Sequence, residues 1–292
     1  MSTETLRYGT DHALQTVTVT TLNTTTTDGY WVILIHGGAW RDPTQTSTSY
    51  LSPVHTILTT TPAYATTTQN ITALASISYR LSAHPSHTQD PATTSPYDFR
   101  AAKHPDHVDD VRAAIAFLQK RYGFGGRYVL VGHSCGATLG FQVVMGGLQK
   151  PIKTGGGVEG QDEGEGEGEG EGPVAIVGMA GIYDLRLLRD CHRSVSVYQD
   201  FIVGAFGSNE ALWDRVSPAK GGRLAVLAYS NGDGSVDSMQ REAMREALRE
   251  WEAGREGRTV EMLNIEGDHD DAWEKGDELA RAIAFAVDKL RG

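Results

Sequence analysis

The chain has 292 residues, of which 39% are hydrophobic and 22% charged, and its formal net charge is −11. These values suit a globular protein with one domain over residues 1–292, and they exclude the clustered basic surface that nucleic-acid partners need. No apolar run could cross a membrane, no leader pattern opens the chain, and two cysteines exclude a disulfide framework, so we expect a cytoplasmic protein without membrane partners.

Hydrophobic patterning predicts strands and helices that alternate along the chain. Residues 14–22 alternate between apolar and polar and predict an antiparallel edge strand. Apolar blocks that stop at turns predict buried parallel strands at 30–38, 71–79, 127–134, 174–182, 224–230 and 260–267. Helical periodicity occurs at 107–122, 137–148, 239–251 and 277–290. This order predicts the α/β-hydrolase class of fold, a mostly parallel doubly wound sheet with helices on both faces.

Two insertions interrupt this pattern. The Thr-rich segment 44–70 predicts a surface helix followed by a poorly specified loop. The Gly/Glu-rich tract 155–172 has no apolar face and cannot offset its ordering entropy, so we expect a disordered surface loop. The tract holds seven acidic residues and no basic one, which leaves a net charge of −4 on the remaining chain.

A GxSxG motif, GHSCG at 132–136, lies between a predicted strand and a predicted helix. This context indicates a nucleophile elbow, in which Ser134 sits on a cramped turn and Gly132 and Gly136 avoid steric collisions. The helix N-terminus behind Ser134 favours developing negative charge. An idle serine on a glycine-rich turn is the alternative.

A serine nucleophile needs a histidine base and an acid, which follow it in the order serine, acid, histidine in this fold. Only His192 and His269 lie beyond Ser134, and His192 precedes the strand that should supply the acid, so His269 is the predicted base. Asp233 and Asp237 follow that strand. We prefer Asp233, because Asp237 has the position of a helix N-cap with Gln240 as its capping-box partner.

The motif HGGAW, His36 to Trp40, ends the first parallel strand. Its residues Gly37 and Gly38 allow consecutive N–H groups to face a carbonyl oxygen, which predicts an oxyanion hole formed by the amides of Gly38, Ala39 and Cys135. The Cys135 side chain is then expected to be a bystander. A tight strand-exit turn is the alternative.

Four histidines in the motifs HPSH and HPDH raise the question of a zinc site. Each pair encloses a proline, and no cysteine or carboxylate pattern completes a known ligand set, so we predict no metal. The segment HPDHVDD instead predicts the start of a helix. The residues concerned are His84, His87, His104 and His107.

These motifs together resemble the fungal kynurenine formamidases, α/β hydrolases related to the hormone-sensitive-lipase-like esterases. The resemblance covers most of the chain. Lipase relatives usually carry a third glycine, HGGG, so HGGAWRDP is its most specific part. Its other parts are SYRLS (78–82), HPDHVDD (104–110), GHSCGATL (132–139), GIYDL (181–185) and a spaced set, Tyr198, Phe201, Ala205, Phe206, Gly207, Trp213, Ser217 and Pro218. The chain departs from the family at both insertions and at DGSV after the acid.

The resemblance implies hydrolysis of N-formyl-L-kynurenine to L-kynurenine and formate, in tryptophan degradation toward NAD, by a homodimer without a cofactor. In that family, Ser134, Asp233 and His269 match the triad, and Gly38 and Ala39 match the oxyanion donors. Trp40 is expected to wall the acyl side. The residue that holds the substrate carboxylate stays open among Arg41, Arg80 and Arg100. A general carboxylesterase and a catalytically inactive binding protein remain the alternative functions.

Overall fold

The computed structural model describes residues 2–24, 28–145 and 171–292. In these ranges eight strands form one sheet in the order β1-β2-β4-β3-β5-β6-β7-β8, with β1 and β2 antiparallel to their neighbours and all other pairs parallel. The strands are β1 Ser2–Arg7, β2 Thr16–Thr21, β3 Tyr30–Ile35, β4 Ile71–Ile77, β5 Tyr128–His133, β6 Ala175–Met179, β7 Leu224–Ser230 and β8 Thr259–Ile265.

The edge of the sheet differs from the sequence prediction. The strand expected at the edge, β2, pairs with both β1 and β4, so β1 is the edge strand on that side of the sheet. Its residues are mostly exposed and carry no apolar alternation, because an edge strand over solvent needs no buried face. Hydroxyl pairs join it to β2, with 2.8 Å between the Oγ1 atoms of Thr3 and Thr20.

Helices cover both faces of the sheet, as the α/β prediction requires. Along β3, Trp31, Ile33 and Ile35 pack on one face, while Val32 and Leu34 pack on the other. The helices are α1 Ser47–Thr60, α2 Ala65–Gln69, α3 Asp106–Tyr122, α4 Cys135–Gln142, α5 Leu185–Cys191, α6 Ser196–Phe206, α7 Glu210–Val216, α8 Ser238–Ala253, α9 Asp271–Glu274 and α10 Asp277–Arg291. None in the described part of the chain has the length and apolar character for a membrane crossing.

The Thr-rich segment is more ordered than the prediction of a helix and a loop. Helix α1 is the expected surface helix, but a 3₁₀ turn at Pro62–Tyr64 and α2 follow it directly. Thr68 Oγ1 donates to the Leu58 carbonyl at 2.9 Å, and buried Thr67 bonds to Asp288 of α10. Hydrogen bonds that threonine hydroxyls donate within the segment and to α10 therefore order a segment whose own hydrophobic pattern is weak.

Residues 155–170 of the Gly/Glu-rich tract lie outside the described residues. At its end, the Glu171 carboxylate accepts a hydrogen bond from the Gly126 amide at 2.7 Å, and the Glu171 carbonyl accepts one from Gln119 Nε2 at 2.7 Å. Glu171, near the end of the tract, therefore contacts the turn between α3 and β5.

The parallel strands share one direction, so the loops that follow β3, β5, β7 and β8 emerge at one end of the sheet. The open end beyond the carboxyl termini of parallel strands is where such folds place their ligands. These four loops carry the motifs singled out in the sequence.

Candidate active site

Ser134 lies on a strained turn between β5 and α4. Its backbone has φ 54° and ψ −123°, a region that non-glycine residues rarely adopt. A Cβ on Gly132 would lie 2.2 Å from the Gly136 carbonyl oxygen, and one on Gly136 would lie 2.3 Å from the carbonyl oxygen of Ile35. The glycines of the motif are therefore steric requirements, as predicted, and the contact at Gly136 is with β3.

The HGGAW loop that follows β3 also has an uncommon backbone. Three consecutive residues have positive φ: 90° at Gly38, 49° at Ala39 and 59° at Trp40. Ala39 thus occupies a left-handed conformation that favours glycine, at the position where lipases carry their third glycine. Tyr79, two residues after β4, supports the loop because its hydroxyl donates to the carbonyls of His36 and Gly37, at 3.0 and 3.2 Å.

The Cys135 side chain, predicted to be a bystander in the chemistry, makes structural contacts with the HGGAW loop. Its Sγ atom accepts a hydrogen bond from the Trp40 amide at 3.2 Å and lies 3.7 Å from the Tyr79 hydroxyl. Burial raises the pKa of the Cys135 thiol to about 11, so it stays protonated and links the loop to α4.

Trp40 is also placed differently from the expectation that it walls the acyl side. Its side chain is fully buried behind the loop, edge-on to Phe206 with 5.0 Å between ring centroids, and it does not line the cavity beside Ser134. A large apolar ring gains more from the core than from a half-open cavity, and α6 supplies the aromatic partner that sequence reasoning did not assign.

His269 and Asp233 are in direct contact. His269 Nδ1 lies 2.8 Å from Asp233 Oδ2, and the Asp233 side chain is completely buried. The second oxygen of this carboxylate accepts hydrogen bonds from the amides of Ser235 and Val236, at 2.8 and 2.9 Å. Because both oxygens of its carboxylate are hydrogen-bonded, Asp233 is fixed and can hold the His269 imidazole in one orientation.

Asp237, the competing acid, caps α8 instead. Its carboxylate accepts from the Met239 amide at 2.9 Å and lies 3.6 Å from His192 Nε2. The capping box predicted with Gln240 does not form, because the side chain of Gln240 is buried against Tyr183 and Asp184, whose amides it accepts from at 2.8 Å. Asp237 therefore caps helix α8, and Asp233 contacts His269.

The loops after β7 and β8 are joined by a carboxylate that sequence reasoning missed. Asp268 Oδ1 accepts from the amide of His269 at 2.7 Å and from the amide of Gly234 at 3.2 Å. These hydrogen bonds lower the pKa of Asp268. The run of acids GDHDD around His269 was the available signal, but its members could not be distinguished without the geometry.

A cavity of about 280 Å³ opens beside Ser134. Ser134, His269, Gly38 and Ala39 line it on the side of the sheet, and helix α6 covers it with aromatic side chains. Among these, Tyr198 donates its hydroxyl to the Ser235 carbonyl at 2.7 Å and stacks on His192 at 4.0 Å. The structure thus brings the predicted nucleophile, base and oxyanion loop to one cavity.

The four histidines of HPSH and HPDH do not come together as a set. Burial lowers the pKa of His107 to about 3, and its Nε2 lies 3.1 Å from Ser82 Oγ. As predicted, HPDH begins helix α3 at Asp106. Within the described ranges, one group of three potential metal ligands lies close together, and it consists of His133, His269 and Asp270. That group includes the predicted base, and His133 Nε2 lies 2.8 Å from the backbone carbonyl of His269.

Comparisons with known proteins show which family the chain resembles. The family described as BD-FAE matches residues 20–248. The chain is 38% identical over 274 residues to a kynurenine formamidase-like hydrolase, fscH, of Fusarium equiseti. The aligned region covers 91% of this chain and 85% of the relative. It is 32% identical to the kynurenine formamidase avaC of Aspergillus versicolor, over 91% of this chain and 92% of that protein.

Solved structures share the fold at much lower identity. A truncated carbohydrate esterase from gut microbiota superimposes with a TM-score of 0.66 at 17% identity, covering 100% of this chain and 95% of the esterase. At that identity the similarity shows the α/β-hydrolase fold alone.

Proposed function

The chain belongs to the BD-FAE family and to the fungal kynurenine formamidase-like hydrolases, and from this premise we propose that it hydrolyses N-formyl-L-kynurenine to L-kynurenine and formate by a serine mechanism. The observation that carries the proposal is the contact of His269 with buried Asp233 at the cavity that Ser134 and the HGGAW loop line. The relatives supply the choice of an aryl formamide among the possible acyl compounds.

In the proposed first half-reaction, Ser134 Oγ attacks the formyl carbon while His269 takes the hydroxyl proton at Nε2. Asp233 keeps the Nδ1 proton of His269 in place and stabilises the imidazolium that forms. The amides of Gly38, Ala39 and Cys135 donate to the developing oxyanion, and their strained loop and helix N-terminus are fixed before substrate arrives. His269 then protonates the aniline nitrogen, and L-kynurenine leaves.

In the second half-reaction, His269 removes a proton from water, which attacks the formyl-serine ester. Collapse of the second tetrahedral intermediate returns the proton to Ser134 and releases formate. Every proton moves through His269, so the proposed cycle needs no cofactor. A cytoplasmic location, a homodimer and a role in tryptophan degradation toward NAD remain predictions from the resemblance.

The test is a side-by-side measurement of kcat/KM on N-formyl-L-kynurenine and on short-chain p-nitrophenyl esters. We expect the formamide to be the better substrate by at least about two orders of magnitude, with both activities abolished in Ser134→Ala. A preference for esters would replace the proposal by a carboxylesterase. Failure of a fluorophosphonate probe to label Ser134 would favour an inactive binding protein.

A further inference from the structure

The cavity beside Ser134 contains a basic side chain for which the proposed mechanism has no use. Arg41, from the motif HGGAWRDP, lines this cavity and also a neighbouring one of about 400 Å³. The residue is only 8% exposed, and its guanidinium lies over the Phe201 ring, 5.7 Å from the centroid. Arg41 is therefore fixed at the junction of two cavities whose sizes suit a small molecule.

The Arg41 guanidinium lacks an anionic partner in the ranges that the structure describes. It forms no ion pair and no side-chain hydrogen bond there, although Asp200 in the neighbouring cavity acts on it at longer range. Burial lowers the pKa of Arg41 and opposes its charge, while Asp200 raises it. A buried cation without a close anion is costly, so the site is suited to an anion that arrives with a ligand.

Of the two other arginines considered for this role, one is already ion-paired and the other lies along the neighbouring cavity. Arg80 binds Asp110 with its Nε and Nη2 atoms, at distances from 2.8 to 3.1 Å, and lies 3.3 Å from Asp106. Arg100 donates from Nη2 to the His87 carbonyl at 2.7 Å, and it lines only the neighbouring cavity, where its Nε has no hydrogen-bond partner among the described residues. Neither lines the cavity that contains Ser134.

We propose that Arg41 binds the α-carboxylate of the substrate, with the α-ammonium group facing Asp200, so that the site selects aryl formamides that carry an amino-acid side chain. This inference rests on the proposed function and extends it to substrate choice. The planar guanidinium can form two parallel hydrogen bonds with a carboxylate, and the partly desolvated position strengthens them. Arg41 is then a specificity residue that acts on KM and leaves the acyl chemistry to Ser134 and His269.

The experiment compares three substrates in the full-length enzyme: N-formyl-L-kynurenine, its analogue without the α-amino group, and formanilide, which has no charged side chain. We expect Arg41→Met to raise KM about 10- to 100-fold for both carboxylates, with kcat nearly unchanged and formanilide hydrolysis within about threefold of wild type. Asp200→Asn should raise KM for N-formyl-L-kynurenine alone. Arg193→Met removes an equal charge from a side chain that is 74% exposed, and it should change none of the three.

Equal losses on all three substrates in Arg41→Met would show that Arg41 supports the loop and would overturn the proposal, as would unchanged KM values. If the wild type cleaves esters and not formamides, the proposed function fails while this inference is still tested, by aryl acetates with and without a propanoate side chain. Loss of a wild-type preference for the carboxylated ester in Arg41→Met would support the carboxylate site without a formamidase. Absence of that preference in the wild type would overturn it.

Discussion

The two halves of the candidate active site are held by different forces. In the nucleophile half, residues 36–42 and 132–136, backbone sterics fix the conformation. Four residues there have positive φ, and a Cβ on Gly132 or Gly136 would overlap a carbonyl oxygen. The base half, residues 231–237 and 266–271, is held by carboxylates that accept amide hydrogen bonds across and within its two loops. Substitution of the glycines in the first half should therefore damage the fold, whereas loss of the carboxylate that contacts His269 in the second half should damage turnover in a folded protein.

The largest effect is expected in the base half. Asp233→Asn should lower kcat by a factor on the order of 10⁴, because a neutral amide cannot stabilise the imidazolium or hold its tautomer, while the melting temperature changes little. Asp237→Asn is the matched control, since it removes the same charge from the same loop and asparagine also caps helices well. Turnover and thermal melts of both variants check the assignment, and it is wrong if Asp237→Asn loses activity while Asp233→Asn retains it.

The nucleophile half should respond through stability. Gly136→Ala places a Cβ 2.3 Å from the Ile35 carbonyl oxygen and should cost about 3 kcal/mol or more, or prevent folding. Gly140→Ala lies on the same helix, where a Cβ would meet Ile35 Cδ1 at 3.6 Å, and should change the free energy of unfolding by no more than about 1 kcal/mol. Urea denaturation of the pair compares them, and similar costs would contradict a specific clash at Gly136.

A smaller effect is expected at the support of the HGGAW loop. Tyr79→Phe removes the hydroxyl that donates to the His36 and Gly37 carbonyls, so we expect a loss of about 1 to 2 kcal/mol in stability and a several-fold lower kcat. Tyr183→Phe is the control, because the buried Tyr183 hydroxyl has no hydrogen-bond partner within the described residues. Denaturation and steady-state kinetics of the two variants should differ, and equal responses would mean that the Tyr79 hydroxyl does not support the loop.

The last effect, which is small near neutral pH, is the loss of stability in acid. Burial lowers the pKa of His36 to about 4 and of His107 to about 3, whereas the unfolded chain protonates histidine near its ordinary value of about 6.5. The unfolded state therefore binds more protons below about pH 6.5, so stability is full above that pH and falls as the pH drops toward the folded pKa values. Each histidine should add a slope of up to about 1.4 kcal/mol per pH unit.

His107→Asn isolates one of these contributions. Between pH 6 and pH 4 its free energy of unfolding should fall less steeply than that of the wild type, although its stability at neutral pH is lower because the contact with Ser82 is lost. Chemical denaturation at several pH values measures both slopes. Parallel slopes would show that His107 is not kept neutral by burial.

The sequence alone determined the parallel strands and the chemistry-bearing motifs. Apolar runs such as 224–230 match the observed strand because a strand buried on both faces must be continuously apolar. GHSCG was informative because an elbow leaves no room for a side chain at Gly132 or Gly136, a constraint that is local in the chain. Chain order also reduced the candidate bases to His269.

Only the tertiary structure decided what depends on distant partners. Strand β1 is recognisable through its pairing with β2, and the end of the Thr-rich segment is ordered by bonds to Leu58 and Asp288. Trp40 does not line the cavity as expected, because its ring packs against Phe206 of α6. Gln240 does not complete the helix cap, because its side chain accepts hydrogen bonds from the amides of Tyr183 and Asp184. Among three candidate arginines, Arg41 alone lines the cavity beside Ser134, since Arg80 is paired with Asp110 and Arg100 lines only the neighbouring cavity. Burial and competition for partners arise when segments far apart in the chain meet, and no local pattern records them.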